Sequence, residues 1–158
     1  LLKLEIMKKL FSLYSLALVL ILSSCIEQNY PTFDRHIVEF QDAVVRTPVS
    51  GQVYPRITVP NTVGTVSLQV NLVGAHKPAD EVIQYTVAAS GTTAVAGVDY
   101  TTASTLVIPK GSSFGTLTVN VINTGKLGGS VDLLLQIIGN DKTGVSPSYD
   151  RVQLRITR

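Results

Sequence analysis

The chain has 158 residues, of which 13 are Lys or Arg and 11 are Asp or Glu, with one cysteine and no tryptophan. The basic excess lies in the first 24 residues, which contain Lys3, Lys8, Lys9 and Glu5 and leave ten basic and ten acidic residues behind them. A neutral remainder excludes the basic footprint of a nucleic-acid-binding protein, and its length suits a single domain.

The first predicted element is a signal peptide. Lys8 and Lys9 form a positively charged start, and Leu10 to Leu22 is an apolar run. A run of about 13 residues fits a signal peptide and is short of the ~20 needed for a permanent membrane span. We expect the signal peptide to occupy residues 7–24. We also expect translation to begin at Met7, with residues 1–6 upstream of the natural start.

The end of this segment, Leu22-Ser23-Ser24-Cys25, resembles a bacterial lipobox. The resemblance implies cleavage before Cys25 and attachment of a lipid to its thiol. Ser23 and Ser24 are small enough for the peptidase site, and Cys25 is the only cysteine, so it has no disulfide partner in the chain. The alternatives are an ordinary secretory signal with an unmodified cysteine and a transmembrane anchor.

Residues 25–36 contain a proline and no hydrophobic period, which is typical of a short tether, here carrying the lipid. Ile26 follows the cysteine, where an Asp would resemble the inner-membrane retention signal of some Gram-negative bacteria. We therefore expect an outer-membrane location. Glu27 weakly resembles the acidic export signal of surface lipoproteins in Bacteroidota.

From residue 37 to residue 158 the chain alternates apolar and polar residues in short runs separated by Gly, Pro, Asn and Asp. This period of two predicts strands with one buried face, and seven or eight of them predict an all-β sandwich. Residues 38–45 and 53–59 are less regular, and Pro48, Pro55 and Pro60 in and beside them favour edge strands. The clearest runs are Val66–Leu72, Ile83–Ala89, Leu106–Ile108, Leu117–Val121, Val131–Ile137 and Val152–Ile156.

Residues 91–123 resemble the core of the Calx-beta domain in the order Thr93-Ala94, Gly97-x-Asp99-Tyr100, a Pro109-x-Gly111 turn and an alternating strand. The resemblance implies an immunoglobulin-like antiparallel β-sandwich. The same pattern occurs in immunoglobulin-like lipoproteins of Bacteroidota, many of them found beside outer-membrane glycan-uptake systems.

The Gly97-x-Asp99-Tyr100 motif is predicted to be structural. Gly97 allows a backbone angle that a Cβ resists. Asp99 can accept hydrogen bonds from nearby backbone N–H groups in an Asx-type turn. Tyr100 can bury its ring between the sheets while its hydroxyl finds a partner.

Calcium-binding Calx-beta domains carry an acidic cluster that this chain lacks. Residues 123–135 contain Lys126 and a single acid, Asp132. Calcium takes 6–8 oxygen ligands, so Asp99, Asp132 and Asp141 would have to converge from separate loops or strands. We therefore predict no metal site, and a calcium-dependent adhesion module is an alternative.

No catalytic constellation is recognisable. His36 and His76 are far apart in sequence and have no evident partner, and no Gly-x-Ser-x-Gly motif occurs. The pair Asp80-Glu81 is expected at a solvated strand end. The sequence predicts neither an enzyme nor a cofactor.

Sugar-binding platforms usually expose Trp or Tyr, and this chain has no Trp. Tyr85 and Tyr100 are expected in the core, which leaves Tyr54 and Tyr149 as candidate ligand-binding residues. We predict a lipid-anchored, non-catalytic accessory lipoprotein of the outer membrane that binds a protein partner in a larger, glycan-uptake-type assembly. The alternatives are a surface carbohydrate-binding module and the calcium-dependent adhesion module.

Overall fold

The computed structural model of the protein describes residues 2–22 and 33–158, which belong to two separate units. The first unit contains one helix, α1 (Leu2–Leu22), on which Lys8 and Lys9 are exposed. Over these two described ranges, no helix combines the length and the apolar character that crossing a membrane requires. The second unit, Phe33–Arg158, contains all the described strands.

The second unit consists of ten strands and one short helix. In chain order these are β1 (Ile37–Phe40), α2 (Gln41–Val45), β2 (Arg56–Pro60), β3 (Thr65–Val73), β4 (Glu81–Val87), β5 (Tyr100–Thr102), β6 (Thr105–Ile108), β7 (Phe114–Val121), β8 (Ser130–Gly139), β9 (Gly144–Val145) and β10 (Arg151–Thr157). They form two five-stranded sheets. Sheet A has the order β5-β7-β3-β1-β9, and sheet B has the order β2-β10-β8-β4-β6.

This architecture confirms the predicted all-β sandwich. The strand number is ten rather than seven or eight for two reasons. Residues 100–108 pair first in sheet A, as β5, and then in sheet B, as β6, so one stretch supplies two strands. β9 has only two residues, too few to show an alternating pattern.

The core lies between the sheets and is formed by the apolar residues of the alternating runs. In β7 every second side chain is buried, and β4 follows the same rule over most of its length. Successive side chains of a strand point to opposite faces, so this alternation covers one face of each sheet. The fully buried aliphatic residues include Leu68, Val70, Ile83, Leu117, Val119, Leu133, Leu135 and Leu154.

The prediction of an edge strand over residues 38–45 is wrong. Only Ile37–Phe40 is a strand, and β1 lies inside sheet A between β3 and β9. The chain then turns into α2. Phe40 and Ala43 are both buried, three residues apart, which is a helical rather than a strand spacing. The five-residue helix is too short to give a recognisable stripe.

The second predicted edge strand, over residues 53–59, is confirmed as β2 (Arg56–Pro60) at the edge of sheet B. It runs parallel to β10, and β9 runs parallel to β1. The sandwich is therefore not wholly antiparallel as expected. Both parallel pairs join strands that lie far apart in sequence. The alternation of apolar and polar residues within one strand does not indicate whether it runs parallel or antiparallel to such a distant partner.

The two sheets approach closely at Gly115 in β7. A Cβ at this position would lie 2.5 Å from the Val107 carbonyl oxygen and 2.9 Å from Leu106 Cδ1, both in β6 of the other sheet. The glycine therefore allows β6 to pack directly on β7. The residues that flank Gly115 in the sequence give no indication of this role.

Replacing Gly115 by alanine should lower the free energy of unfolding by about 1–3 kcal/mol, because backbone on the opposite sheet has to move. Denaturant unfolding of the full chain measures the loss. The control is Thr116→Ala on the exposed face of the same strand, for which a change below about 1 kcal/mol is expected. Equal effects of the two substitutions would show that the close packing at Gly115 is unimportant.

Candidate functional site

The residues Gly97, Asp99 and Tyr100 form a tight turn that leads into β5. The Asp99 N–H donates to the Val95 carbonyl oxygen at 2.8 Å, and the Gly97 N–H donates to the Tyr100 carbonyl oxygen at 2.8 Å. Gly97 has φ of 76°, in the left-handed region, with no atom close to an added Cβ. Backbone conformation, not space, is what favours glycine there.

The Asp99 side chain is buried and its two oxygens have different partners. Oδ2 accepts a hydrogen bond from the Val95 N–H at 2.9 Å, which closes the turn. Oδ1 accepts from Nη2 of Arg158, the last residue of the sequence. The exposed side-chain fraction of Asp99 is only 4%, so the Arg158 charge compensates a carboxylate that water scarcely reaches.

The pKa of Asp99 reflects this competition. Burial acts to raise the pKa, but the Val95 N–H and the Arg158 guanidinium outweigh it, with a smaller effect from Lys126, so that the pKa falls below its ordinary value of 3.8. The carboxylate is therefore ionised at neutral pH.

Arg158 is itself held in place by its backbone. Its carbonyl oxygen accepts from the Gly128 N–H at 3.0 Å, and its N–H donates to the Gly129 carbonyl oxygen at 3.1 Å. The ion pair between Asp99 and Arg158 therefore joins the Gly97 turn, the loop that contains Gly128 and Gly129, and the end of β10. Sequence reasoning did not find this contact, since the partners are 59 residues apart.

Two other acids, Asp132 and Glu81, are also bound to structural partners. Asp132 accepts two hydrogen bonds from Arg155, each of 2.8 Å, and Arg155 is the main cause of its lowered pKa. Glu81 Oε1 accepts from Asn140 Nδ2 and from Thr143 Oγ1, both at 2.8 Å. The hydrogen bond from Asn140 is the main cause of the lowered pKa of Glu81.

Two sequence-based expectations about side chains are wrong. Glu81 is buried rather than solvated, because the turn that contains Asn140 folds over it. His76 does have a partner, since its Nε2 lies 2.7 Å from Ser113 Oγ on an exposed loop. In the described ranges no three His, Cys, Asp or Glu side chains are grouped so as to hold a metal ion.

The two candidate ligand-binding tyrosines have different surroundings. Tyr54 is half-buried, and its hydroxyl lies over Gly91, at 3.1 Å from where a Cβ would be. Tyr149 is exposed, and its carbonyl oxygen accepts from the Phe40 N–H at 2.9 Å. Their role in ligand binding stays a prediction.

An open groove of about 570 Å³ lies beside the Gly97 turn, where the edges of the two sheets face each other. It is lined by residues 85–87 of β4, residues 96–97 of the turn and residues 100–104, which cross from sheet A to sheet B. We call it the side groove. Its size falls within the range of small-molecule sites, and sequence reasoning did not identify it.

Tyr85 and Tyr100 line the side groove with buried rings, as predicted for core residues. The Tyr85 hydroxyl lies 2.8 Å from Thr102 Oγ1, which in turn donates to the Thr118 carbonyl oxygen. The Tyr100 hydroxyl, contrary to expectation, has no hydrogen-bond partner among the described residues. All fully buried side-chain nitrogen and oxygen atoms there do have one, so this hydroxyl is not fully buried.

The lipidation residues Ser23, Ser24 and Cys25 lie outside the described residues, and Leu22 is described only as the last residue of α1. Lipid attachment at Cys25 therefore stays a prediction from sequence.

Comparison with solved structures shows the fold of the domain. The chain superimposes on the apo form of the Calx CBD1 domain with a TM-score of 0.59 and 14% identity, covering 78% of this chain and 97% of that one. For the Calx CBD2 domain the TM-score is 0.56 at 14% identity, covering 76% and 85%. For a structure described as the calcium-binding domain CBD12 of CALX1.1 it is 0.54 at 15%, covering 65% and 41%.

These likenesses establish a Calx-beta-like fold for the sandwich, as the motif at Gly97 predicted. No protein-family model and no curated protein sequence matches the chain.

Removing the Arg158 charge should destabilise the domain, because Asp99 would remain buried and ionised without its cation. We expect Arg158→Gln to lower the free energy of unfolding by about 3 kcal/mol at pH 7. The control is Arg151→Gln at the start of β10, whose pair with Asp150 is more exposed and contributes about 1 kcal/mol or less. Urea unfolding at pH 7 distinguishes the two, and equal losses would contradict a special role for Arg158.

The destabilisation by Arg158→Gln should also depend on pH. Because the folded-state pKa of Asp99 is depressed, its ionised form stabilises the protein above the ordinary pKa of 3.8 and ceases to do so as pH falls through the folded value. The difference in unfolding free energy between wild type and Arg158→Gln should therefore shrink as pH falls from 7 towards the depressed pKa of Asp99, which lies below 3.8. Unfolding curves at pH 7, 4 and 3 measure this trend, and a constant difference would argue against it.

Proposed function

We propose that this chain is a lipid-anchored, non-catalytic binding protein of the outer membrane, with a protein partner in a larger assembly. One observation carries the anchoring: Lys8, Lys9 and an apolar run precede Leu22-Ser23-Ser24-Cys25, and Cys25 is the only cysteine. The thiol has no alternative use as a disulfide within the chain. The domain, in this account, begins at residue 37 after a tether of residues 25–36.

A binding role is favoured over catalysis because buried acids of the described domain are already engaged in structural hydrogen bonds. Asp99, Asp132 and Glu81 are engaged by structural donors, as shown by their hydrogen bonds. The one Ser–His contact, between Ser113 and His76, lies on exposed loops, and the described ranges show no carboxylate bonded to that imidazole. A serine nucleophile needs a base that a third group orients.

A protein partner is favoured by apolar side chains on the outer face of sheet B. Val82 and Val107 are directly opposite each other on β4 and β6, and Ile138 is on the neighbouring strand β8. About half of each of these three side chains is exposed. Exposed aliphatic clusters on a sheet commonly mark protein interfaces.

Lipid anchoring predicts that the full chain, expressed in a Gram-negative host, enters the detergent phase after phase partitioning. Cys25→Ser should shift it to the aqueous phase because no acyl chain can be attached. Ser23→Ala keeps a small residue in the lipobox and should leave the protein in the detergent phase. Wild-type protein in the aqueous phase with a free thiol would contradict the anchoring.

If the chain has a protein partner, that partner should co-purify with it in a fixed stoichiometry from outer membranes solubilised in detergent. Val107→Lys should abolish recovery of the partner, because a lysine in an apolar contact leaves a buried unpaired charge. Thr118→Lys, exposed on sheet A, is the matched control and should retain it. Recovery of a monomer alone, or equal recovery with both variants, would exclude this interface.

A calcium-dependent adhesion module is a second candidate, because one structurally similar protein is described as a calcium-binding domain. The residues of this chain do not fit a calcium site in the described ranges. Both oxygens of Asp99 are engaged, by the Val95 N–H and by a guanidinium, and Asp132 is paired with Arg155. Calcium needs several oxygen ligands at one point.

The melting temperature of the full chain should accordingly be the same in excess calcium and in excess chelator, within about 1 °C. A ligand at 100 times its Kd stabilises the folded state by about 2.7 kcal/mol, which corresponds to several degrees for a domain of this size. A calcium-dependent rise of that size would favour the adhesion module over the present assignment.

A further inference from the structure

We propose that the side groove binds a neutral saccharide and that the Tyr100 hydroxyl is its central hydrogen-bonding group. This inference rests on the proposed function as a binding protein, and it deepens the carbohydrate-binding alternative by naming a site. It replaces Tyr54 and Tyr149 as the ligand-binding residues.

The lining of the side groove is rich in hydroxyl groups and carries no charge. Six of the ten lining residues bear a hydroxyl group, and none is acidic or basic. Asp99 lies between Gly97 and Tyr100 of this lining in the sequence, and its charge is buried and paired with Arg158. An anionic ligand would find no cation in the side groove, whereas a sugar carries hydroxyl groups that both donate and accept.

Tyr100 supplies the most specific feature of the side groove. Its ring is fixed in the core with only 5% of the residue exposed, yet its hydroxyl is not fully buried and has no partner in the described chain. Burial raises the pKa of Tyr100, so the hydroxyl remains a neutral donor and acceptor at physiological pH. A polar group on a rigid ring loses little conformational entropy when it binds a ligand.

The alternation of β4 directs one backbone N–H to the side of the groove. β6 pairs with β4 only from Glu81 to Gln84, and the Tyr85 N–H then donates to the Ser104 carbonyl oxygen. The Ala88 N–H points the other way, to Leu134 on β8. By the alternation of an antiparallel strand, the Val87 N–H is directed to the side of the groove, where β6 offers no partner.

The side groove is open rather than closed. Thr101, an exposed residue of β5, lines it and carries no charge. A saccharide longer than the groove can therefore extend beyond it.

Isothermal titration of the full chain tests this inference, in a detergent without a sugar headgroup. The probes are gluco-, manno- and xylo-oligosaccharides, which are neutral, with oligogalacturonate as the charged comparison. At least one neutral series should bind saturably, and oligogalacturonate should bind more weakly. Tyr100→Phe keeps the buried ring, removes only the hydroxyl and should weaken binding about threefold to tenfold.

Ala103→Trp fills the side groove from an exposed position and should abolish binding even if Tyr100→Phe affects folding. Tyr54→Phe and Tyr149→Phe are matched controls that should bind as wild type does. The inference is overturned if no neutral oligosaccharide binds, if binding survives both groove substitutions, or if the charged oligosaccharide binds equally well. Lipid attachment and partner recovery, measured on the same preparation, show separately whether the proposed function itself fails.

Discussion

The buried carboxylate of Asp99 is the group on which this end of the sandwich depends. An ionised acid out of contact with water costs several kcal/mol unless it is paired and hydrogen-bonded. Two donors meet that requirement, the Val95 N–H within the turn and the Arg158 guanidinium from the end of β10. One carboxylate thus fixes the conformation of the turn and ties it to the last residue of the sequence.

The same turn forms one wall of the side groove, so a structural ion pair supports the surface that we assign to ligand binding. Gly97 and Tyr100 belong to both. Binding groups that are held by a rigid scaffold pay less entropy when a ligand arrives. The domain therefore uses polar groups in two ways: buried charged groups pair internally, and neutral hydroxyl groups line the side groove.

The parts of this structure that local sequence governs could be predicted. The alternation of apolar residues gave the two-sheet sandwich, and the Gly97 turn was correctly related to Calx-beta domains. Contacts between distant residues could not be predicted. Arg158 reaches Asp99 across 59 residues, and Asn140 covers Glu81 across the same number. The side groove exists because β6 leaves β4 after Gln84, and no local pattern marks that point.

The most direct test of the account is a carboxyl NMR titration of Asp99 in the full chain, with and without calcium. We expect the titration midpoint of Asp99 to lie below 3.8. Its resonance should be unchanged by millimolar calcium, because the carboxylate is already paired with the Arg158 guanidinium. A midpoint at or above 3.8, or a resonance displaced by calcium, would contradict the internal pairing from which the rest of the account follows.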